Sequence, residues 1–447
     1  MAQGQTAEEF RTRCEEAGVH TVEIAVADTQ GHLRGKRVPI DRFFNTALAD
    51  GVHLADAIFV LDMQNDLPEN PYINMDSGYL DCHLMPDVST GRILTHRPGY
   101  ALVFAHTYDE LGQMHPIAPR TVLAHQIDRV SAAGLQPVVA TEMEFYLCTP
   151  DWVPVQDHIQ YSSLTEALAM ETVLADMRHA LAGAELEVES SNAEYGPGQF
   201  EINIGHTDAM TCADNTVLFK SIVKQVAAQH GLRATFMAKP FTEQSGSGMH
   251  VHTSLAANGS NAFADSDGGP NALMGQWIAG MLEHAEALTM LAAPTANGPK
   301  RLRPYTFAPT HIHWGLDNRT VLARCIVEQG SQANRVEYRA AGADANPYAM
   351  IAGVIAAGAD GIERSLEPPM MCEGDLYTNP GTNTALPTDL ASAIAAFRGS
   401  PLAATLGEKF STTNALTSEH EVAQAAENNP DPDEVNDWER ARYAEHC

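Results

Sequence analysis

In the segment ATEMEFYL an extended chain sends alternate side chains to opposite faces, so Glu142 and Glu144 stand together while Met143, Phe145 and Leu147 point away. The same arithmetic sets Glu201 of QFEINI opposite Phe200 and Ile202, and His250 and His252 of SGSGMHVHTSL opposite Met249 and Val251. In RVEYR, Glu337 lies between Arg335 and Arg339, backed by Val336 and Tyr338. Any one of these segments alone reads as a charged, solvent-facing strand. All four together read as one polar surface whose neighbouring carboxylates repel and need cations to neutralise them. Oxygen donors with few histidines suit Mg²⁺ or Mn²⁺ better than zinc.

Arginines gather in the segments that follow: Arg301 and Arg303 in PKRLRP, Arg319 and Arg324 in DNRTVLAR, Arg335 and Arg339 in RVEYR. Guanidinium groups grip carboxylate and phosphate oxygens in pairs and stabilise a phosphoryl group in transfer, so metals beside arginines imply a phosphorylated species. Isolated Arg303 reads as a surface charge. The sequence has neither GxxxxGK[ST] nor a kinase-type GxGxxG, which removes the common nucleotide folds.

The elements that must position these residues follow from periodicity. After an amphipathic first helix, Val22, Ile24 and Val26 alternate with Glu23 and Ala25, and DTQG turns the chain into LRGKRVPI, a β-hairpin. Short strands continue through YALVFAHTYDE, and the proline- and glycine-bearing LGQMHPIAPR marks a seam near residue 113. Beyond it Leu123, Ile127 and Val130 recur at helical spacing, with Gly134 as a C-cap. Helical stretches such as TVLFKSIVKQVAAQHG and NALMGQWIAGMLEHAEALTML alternate with the polar-faced strands, predicting helices on one face of a sheet and function on the other.

The 447 residues suffice for a small domain and a larger one. With 57 Asp and Glu against 27 Lys and Arg, the formal charge of −30 disfavours nucleic acid and anionic membranes as partners. Seven dispersed cysteines without CxxC spacing predict free thiols and a reducing compartment. The first residues lack an apolar signal core and no run approaches the ~20 residues of a membrane span, so a cytoplasmic protein is expected.

Read in order, TEMEF, EYGPGQFEI, GSGMHVH, KRLRP, NRTVLAR and NRVEYR running into GADANPY resemble the motif series of the glutamine synthetase superfamily. The resemblance extends from the first hairpin to DWERARY, and is nearest to the branch of γ-glutamyl-amine ligases of the glutamate–putrescine type. It implies an α+β protein: a β-grasp domain over residues 1–113, then a catalytic domain over 114–447 with a curved antiparallel sheet covered by helices. It also implies a homo-oligomer, a dodecamer of two six-membered rings with active sites between subunits. By the same resemblance Glu144, Glu194 and Glu201 match the ligands of one metal, and Glu142, His250 and Glu337 those of a second. Arg301 and Arg339 match residues that position glutamate, Arg319 and Arg324 those that contact phosphates, and Gly246 a loop contact to glutamate. His252 and Arg335 match residues on the nucleotide side. The implied reaction uses ATP and two or more Mg²⁺ or Mn²⁺ ions to convert glutamate to γ-glutamyl phosphate, from which an amine displaces phosphate.

Two positions depart from the ammonia-using members. Their flap glutamate is replaced by Phe307 in RPYTFAP, and an aspartate of the neighbouring subunit's N-terminal domain falls at Ala55 in GVHLADA, with Asp56 one residue on. Ammonium thereby loses charged partners while a larger amine gains apolar contact, which favours a primary amine as second substrate. Ser245 stands where an asparagine is common, and Tyr377 where some bacterial relatives are adenylylated. An ammonia-using glutamine synthetase is the alternative within the family. A catalytically silent scaffold or sensor is the alternative outside it, but such a protein would be free to lose metal ligands or phosphate arginines, and none is missing.

Overall fold

The computed structural model describes residues 5–264, 270–327, 332–429 and 431–447. Among them no helix is long and apolar enough to cross a membrane. The N-terminal sheet contains β1 (Thr21–Ala27), β2 (Leu33–Pro39), β3 (Val52–Ala55), β4 (Asp81–Pro86), β5 (Arg92–Ile93) and β6 (Tyr100–Tyr108). Its order is β2-β1-β6-β4-β3, with β5 alongside β6. The expected hairpin is β1–β2, in register from Thr21 opposite Pro39 to Ala27 opposite Leu33. Its turn closes on buried Asp28, whose Oδ1 accepts from the backbone N–H of Gln30 and His32, both at 2.9 Å. Val22, Ile24 and Val26 pack with Phe10 and Phe43 in a core of their own, while Ala25, Ala27 and Phe104 on the other face join the core of the larger sheet.

The larger sheet contains β7 (Gln136–Cys148), β8 (Val188–Ala193), β9 (Gln199–Ile204), β10 (Thr207–Asp208), β11 (Arg233–Thr235), β12 (Met249–Ala257), β13 (Ser260–Asn261), β14 (Trp314–Leu316), β15 (Ala323–Ile326) and β16 (Arg335–Tyr338). It runs β14-β15-β16-β12-β7-β9-β8, with β10 and β11 on β7 and β13 on β12. The four strands singled out by their polar faces are thus consecutive neighbours: β16, β12, β7, β9. The sheet is antiparallel as expected except at its edge, where β14 runs parallel to β15. Register places His250 opposite Glu142, Glu144 opposite Glu201, and His252 opposite Glu337.

The back of the sheet explains why the chemical face looks outward. Met143, Phe145, Phe200, Ile202, Met249, Val251, Val336 and Tyr338 are fully buried, within one core that includes helices Ala209–Gln229, Ala272–Glu283 and Pro347–Glu363. Burying each such side chain contributes about 1.5–3 kcal/mol. A one-residue slip of any strand would exchange these side chains for carboxylates, so the hydrophobic face fixes the register of the site. The Trp277 indole N–H donates to Thr253 Oγ1 at 3.0 Å, tying the helix to β12.

The run NALMGQWIAGMLEHAEALTML forms two helices, Ala272–Glu283 and Ala285–Ala292. The break is at His284, whose ring Nε2 lies 2.8 Å from Asp360 of the neighbouring helix, and no proline or glycine marks it. The helix beginning at Pro119 ends at Ser131, and Gly134 takes the left-handed conformation (φ +75°) that turns the chain into β7.

Candidate active site

Two groups of metal-ligating side chains share the polar face of β9, β7, β12 and β16. In each group the potential ligand atoms lie within 4.8 Å of one another: Glu144, Glu194 and Glu201 in one, Glu142, His250 and Glu337 in the other. Alternation on β7 explains why Glu142 and Glu144 serve adjacent groups, and pairing with β9 brings Glu201 beside Glu144. Glu194 comes from the β8–β9 turn, where Asn192 Nδ2 donates to its Oε1 at 2.8 Å. His250 Nδ1 faces Glu142 Oε2 at 3.1 Å and Glu337 Oε1 at 3.3 Å, while its Nε2 accepts from Arg301 Nη2 at 3.2 Å. That hydrogen bond leaves Nδ1 as the ring atom directed at the carboxylates.

Both groups open on a cleft of about 520 Å³ that Gly246, Arg301, Phe307, Arg319, Arg324 and Arg339 also line. Gly246 belongs there because a Cβ would meet the Ala238 carbonyl and Arg301 Cγ, each at 2.7 Å. A second cleft, sharing Glu142 with the first, is lined by His252 and Arg335. Its two residues are coupled: Arg335 Nε donates to His252 Nδ1 at 3.2 Å, and His252 Nε2 lies 2.9 Å from Glu142 Oε1.

Residues 116–443 match the family described as the glutamine synthetase catalytic domain. The chain belongs to the glutamine synthetase family. It is 33% identical to the glutamate–isopropylamine ligase of a Pseudomonas species, with 96% of each chain covered. It is 35% identical to the glutamine synthetase of Thermus thermophilus, with 84% of each covered. The solved structure of apo GmaS without ligand superposes with a TM-score of 0.84 at 29% identity, covering 96% of this chain and 98% of that one. The protein is therefore an ATP-dependent ligase that forms a carbon–nitrogen bond, on a glutamine synthetase-type fold.

In this ligase the two groups differ electrically. Burial, reinforced by Glu144, pushes Glu194 up to about 8, and burial with Glu144, Glu142 and Glu194 pushes Glu201 up to about 9. Glu337 is more deeply buried than either, but Arg339, His252 and His250 outweigh the desolvation and hold it down at about 2. Burial likewise opposes ionisation of Glu142, and hydrogen bonds from His250 and His252 overcome it and hold that carboxyl well below the usual range. Arg324 Nη1 donates to Glu337 Oε2 at 2.9 Å, and Arg339 Nη1 donates to Glu337 Oε1.

The structure brings together Glu142, Glu144, Glu194, Glu201, His250, Glu337, Gly246, Arg301, Phe307, Arg319, Arg324 and Arg339. Arg319 is exposed and pairs with no carboxylate among the described residues, whereas Arg324 is held by Glu337 and Asp317. Arg303 is the surface charge expected, paired with Asp433 at 2.6 Å. Ala55 and Asp56 do not line the cleft of their own chain: Ala55, exposed, ends β3 in the N-terminal sheet, and Asp56, buried, opens the 3₁₀ turn Asp56–Phe59 that follows. The Tyr377 hydroxyl donates to the Ala308 carbonyl at 2.9 Å beside the Phe307 segment, and burial raises its pKa to about 12. Sequence reasoning missed Gln199, whose Nε2 donates to the Gly246 carbonyl at 2.9 Å, and Asn203, whose Nδ2 donates to Glu201 Oε1 at 3.0 Å. Their signal was available, since 199, 201 and 203 share one strand face.

Proposed function

We propose that the enzyme joins the side-chain carboxylate of L-glutamate to a primary amine bearing a carbon substituent, through γ-glutamyl phosphate. The observation that carries the amine is Phe307, an uncharged ring on the cleft wall, 5.6 Å from Tyr195, where the ammonia-using pattern has a carboxylate. Its backbone is pinned by Arg339 Nη2, which donates to the Phe307 carbonyl at 3.0 Å.

The donor sets fit divalent cations. Glu194 and Glu201 would be raised, largely protonated carboxyls at neutral pH without a cation, which is an expensive use of buried acids unless something compensates them. Glu144, Glu194 and Glu201 would hold one ion and Glu142, His250 and Glu337 the other. Mg²⁺ or Mn²⁺ bound there would neutralise the transferring phosphoryl group and the carboxylate it joins. The chain's own groups do the positioning. Arg301 and Arg339, with Gly246, hold glutamate. Arg319 and Arg324 hold the phosphates, and His252 and Arg335 line the nucleotide side. A glutamate γ-oxygen attacks the γ-phosphorus and ADP leaves. The neutral amine then attacks the acyl carbon, phosphate leaves, and the nitrogen gives up a proton.

We further assign residues 1–113 and 114–447 to two domains, in a cytoplasmic ring-forming homo-oligomer of two stacked hexamers. In it the Ala55–Asp56 corner of one copy borders the Phe307 segment of the next. Asp56, lifted to about 6 by burial with Glu110 and Asp81, would then be an ionised proton acceptor at pH 7. The deciding experiment is phosphate release from ATP with glutamate across a panel of amines including ammonia. Some substituted amine is expected to exceed ammonia at least about tenfold in kcat/KM. Preference for ammonia over every amine would make the protein an ammonia-using glutamine synthetase with an unusual flap.

A further inference from the structure

Three aromatic rings converge at the mouth of the cleft. Tyr161 and Tyr195 have centroids 6.2 Å apart at 60°, and Tyr195 and Phe307 lie 5.6 Å apart at 61°. All three line the cleft and all three are about half exposed: 58%, 46% and 52%. Large rings left this open are not held there by the core, yet each is tethered by its own or an adjacent residue's backbone. The N–H of Ser162 donates to the Ala193 carbonyl at 2.9 Å, fixing Tyr161 beside the β8–β9 turn. The Tyr195 N–H donates to Glu194 Oε2 at 3.3 Å, and the Phe307 carbonyl is gripped by Arg339. Tyr195 thus shares the backbone of Glu194, and the Tyr161 and Phe307 segments are bonded to its neighbour Ala193 and to Arg339.

Charge decides what such a wall can hold. The acids of this chain that line the cleft are Glu142, Glu144, Glu194 and Glu201, and every one belongs to a metal-binding group. A second ammonium on the substrate would find arginines and occupied carboxylates, the neighbouring copy's Asp56 being engaged at the reacting nitrogen, so ring faces would have to replace its water. An apolar substituent would find three rings whose mutual tilt leaves a wedge for a chain or a flat ring.

We propose that Tyr161 and Tyr195, together with Phe307, select the amine, and that the preferred amine carries an apolar, chain- or ring-shaped substituent and no second charge. This rests on the proposed amine-ligase reading. The test uses the full-length enzyme with glutamate and MgATP. kcat/KM is measured for ammonia, phenethylamine, and the isosteric pair n-pentylamine and putrescine, which differ in a terminal methyl against an ammonium. The wild type is expected to use n-pentylamine about tenfold better than putrescine, and Tyr161→Ala and Tyr195→Ala to lower the phenethylamine-to-ammonia preference about tenfold each. Tyr195→Phe should keep that preference, because the ring and not the hydroxyl makes the contact. Tyr161→Leu and Tyr195→Leu supply the same ratio should an alanine variant fold poorly.

A wild type that prefers ammonia to every amine removes the amine-ligase reading, and this proposal with it. Putrescine used as well as n-pentylamine leaves that reading intact and overturns the apolar class. So does an unchanged preference in the alanine variants, including the case where light scattering shows that they only alter assembly, since the rings would then be a subunit contact.

Discussion

The two carboxylate groups proposed to hold metals lie side by side on one sheet and solve the burial of carboxylates in opposite ways. Around Glu144, Glu194 and Glu201 the protein supplies amide donors and, among the described residues, no ion-paired cation, with Arg301 acting on Glu144 alone, and Glu194 and Glu201 are driven up to about 8 and 9. Around Glu142, His250 and Glu337 it supplies Arg324, Arg339 and His252, and the acids stay ionised. Under the proposed function the first group would depend on a metal for its neutralisation. The second is already neutralised, so an incoming ion must compete with arginines that also face the cleft. Adjacent sites can thus present similar ligand types and still differ in how much of their order depends on the ion.

The largest expected effect bears on both groups equally. Glu201→Ala and Glu337→Ala should each lower turnover at saturating substrates by about 10³-fold or more, since charge stabilisation at the reacting phosphoryl group is lost. Steady-state phosphate release checks this, and full activity in either variant would remove that group from the site. The same two substitutions should separate in urea unfolding of the metal-free protein. Glu337→Ala leaves Arg324 and Arg339 without their shared buried partner, a loss of about 3–5 kcal/mol. Glu201→Ala removes a carboxyl that the metal-free fold must keep protonated far above its ordinary pKa, and should be neutral or stabilising.

A pH series sharpens the contrast. A carboxyl raised from 4.5 to about 8 or 9 is protonated in the folded chain while already ionised in the unfolded one, so the folded state binds more protons across that window. Metal-free stability should therefore fall as pH rises from about 4.5 to about 9, and saturating Mg²⁺ should flatten the slope. Calorimetry in buffers of different ionisation enthalpy should detect protons released on Mg²⁺ binding at pH 7, reduced in Glu201→Gln. A flat stability profile without metal would contradict the uncompensated character of the first group.

Smaller effects are expected farther from the ions. Phe307→Glu adds an acid to the mouth of the cleft and should shift the ratio of kcat/KM toward ammonia by about tenfold. Arg303→Ala breaks an exposed ion pair with Asp433 and should change stability by less than about 1 kcal/mol and activity not measurably. Comparison with Glu337→Ala then separates a solvated pair from a buried one.

Much of the site was legible because strand alternation is a local rule. Which face Glu142, Glu144, Glu201, His250, His252 and Glu337 occupy follows from residue order alone, given that Met143, Phe145, Phe200, Met249 and Val336 must be buried. The polar amides were equally visible: Gln199 and Asn203 share the face of Glu201, but an amide carries no charge to announce itself. The helix break at His284 was not visible, because the chain on both sides is helical and the partner of His284 is Asp360 of another helix.

By itself the sequence determined which side chains share a face, that those faces need cations, and where the carboxylate of the ammonia-using pattern is missing. Only the tertiary structure decided how those faces are divided. Strand order set β12 between β7 and β16, so His250 meets Glu142, 108 residues away in sequence, and Glu337 together. It also set Arg324 of β15 opposite Glu337, which already has Arg339 two residues along its own strand, making one carboxylate group compensated and its neighbour not. The physical reason is that hydrophobic periodicity fixes which way a side chain points, whereas a pKa depends on charges brought within a few ångströms by strands that have no local means of specifying one another.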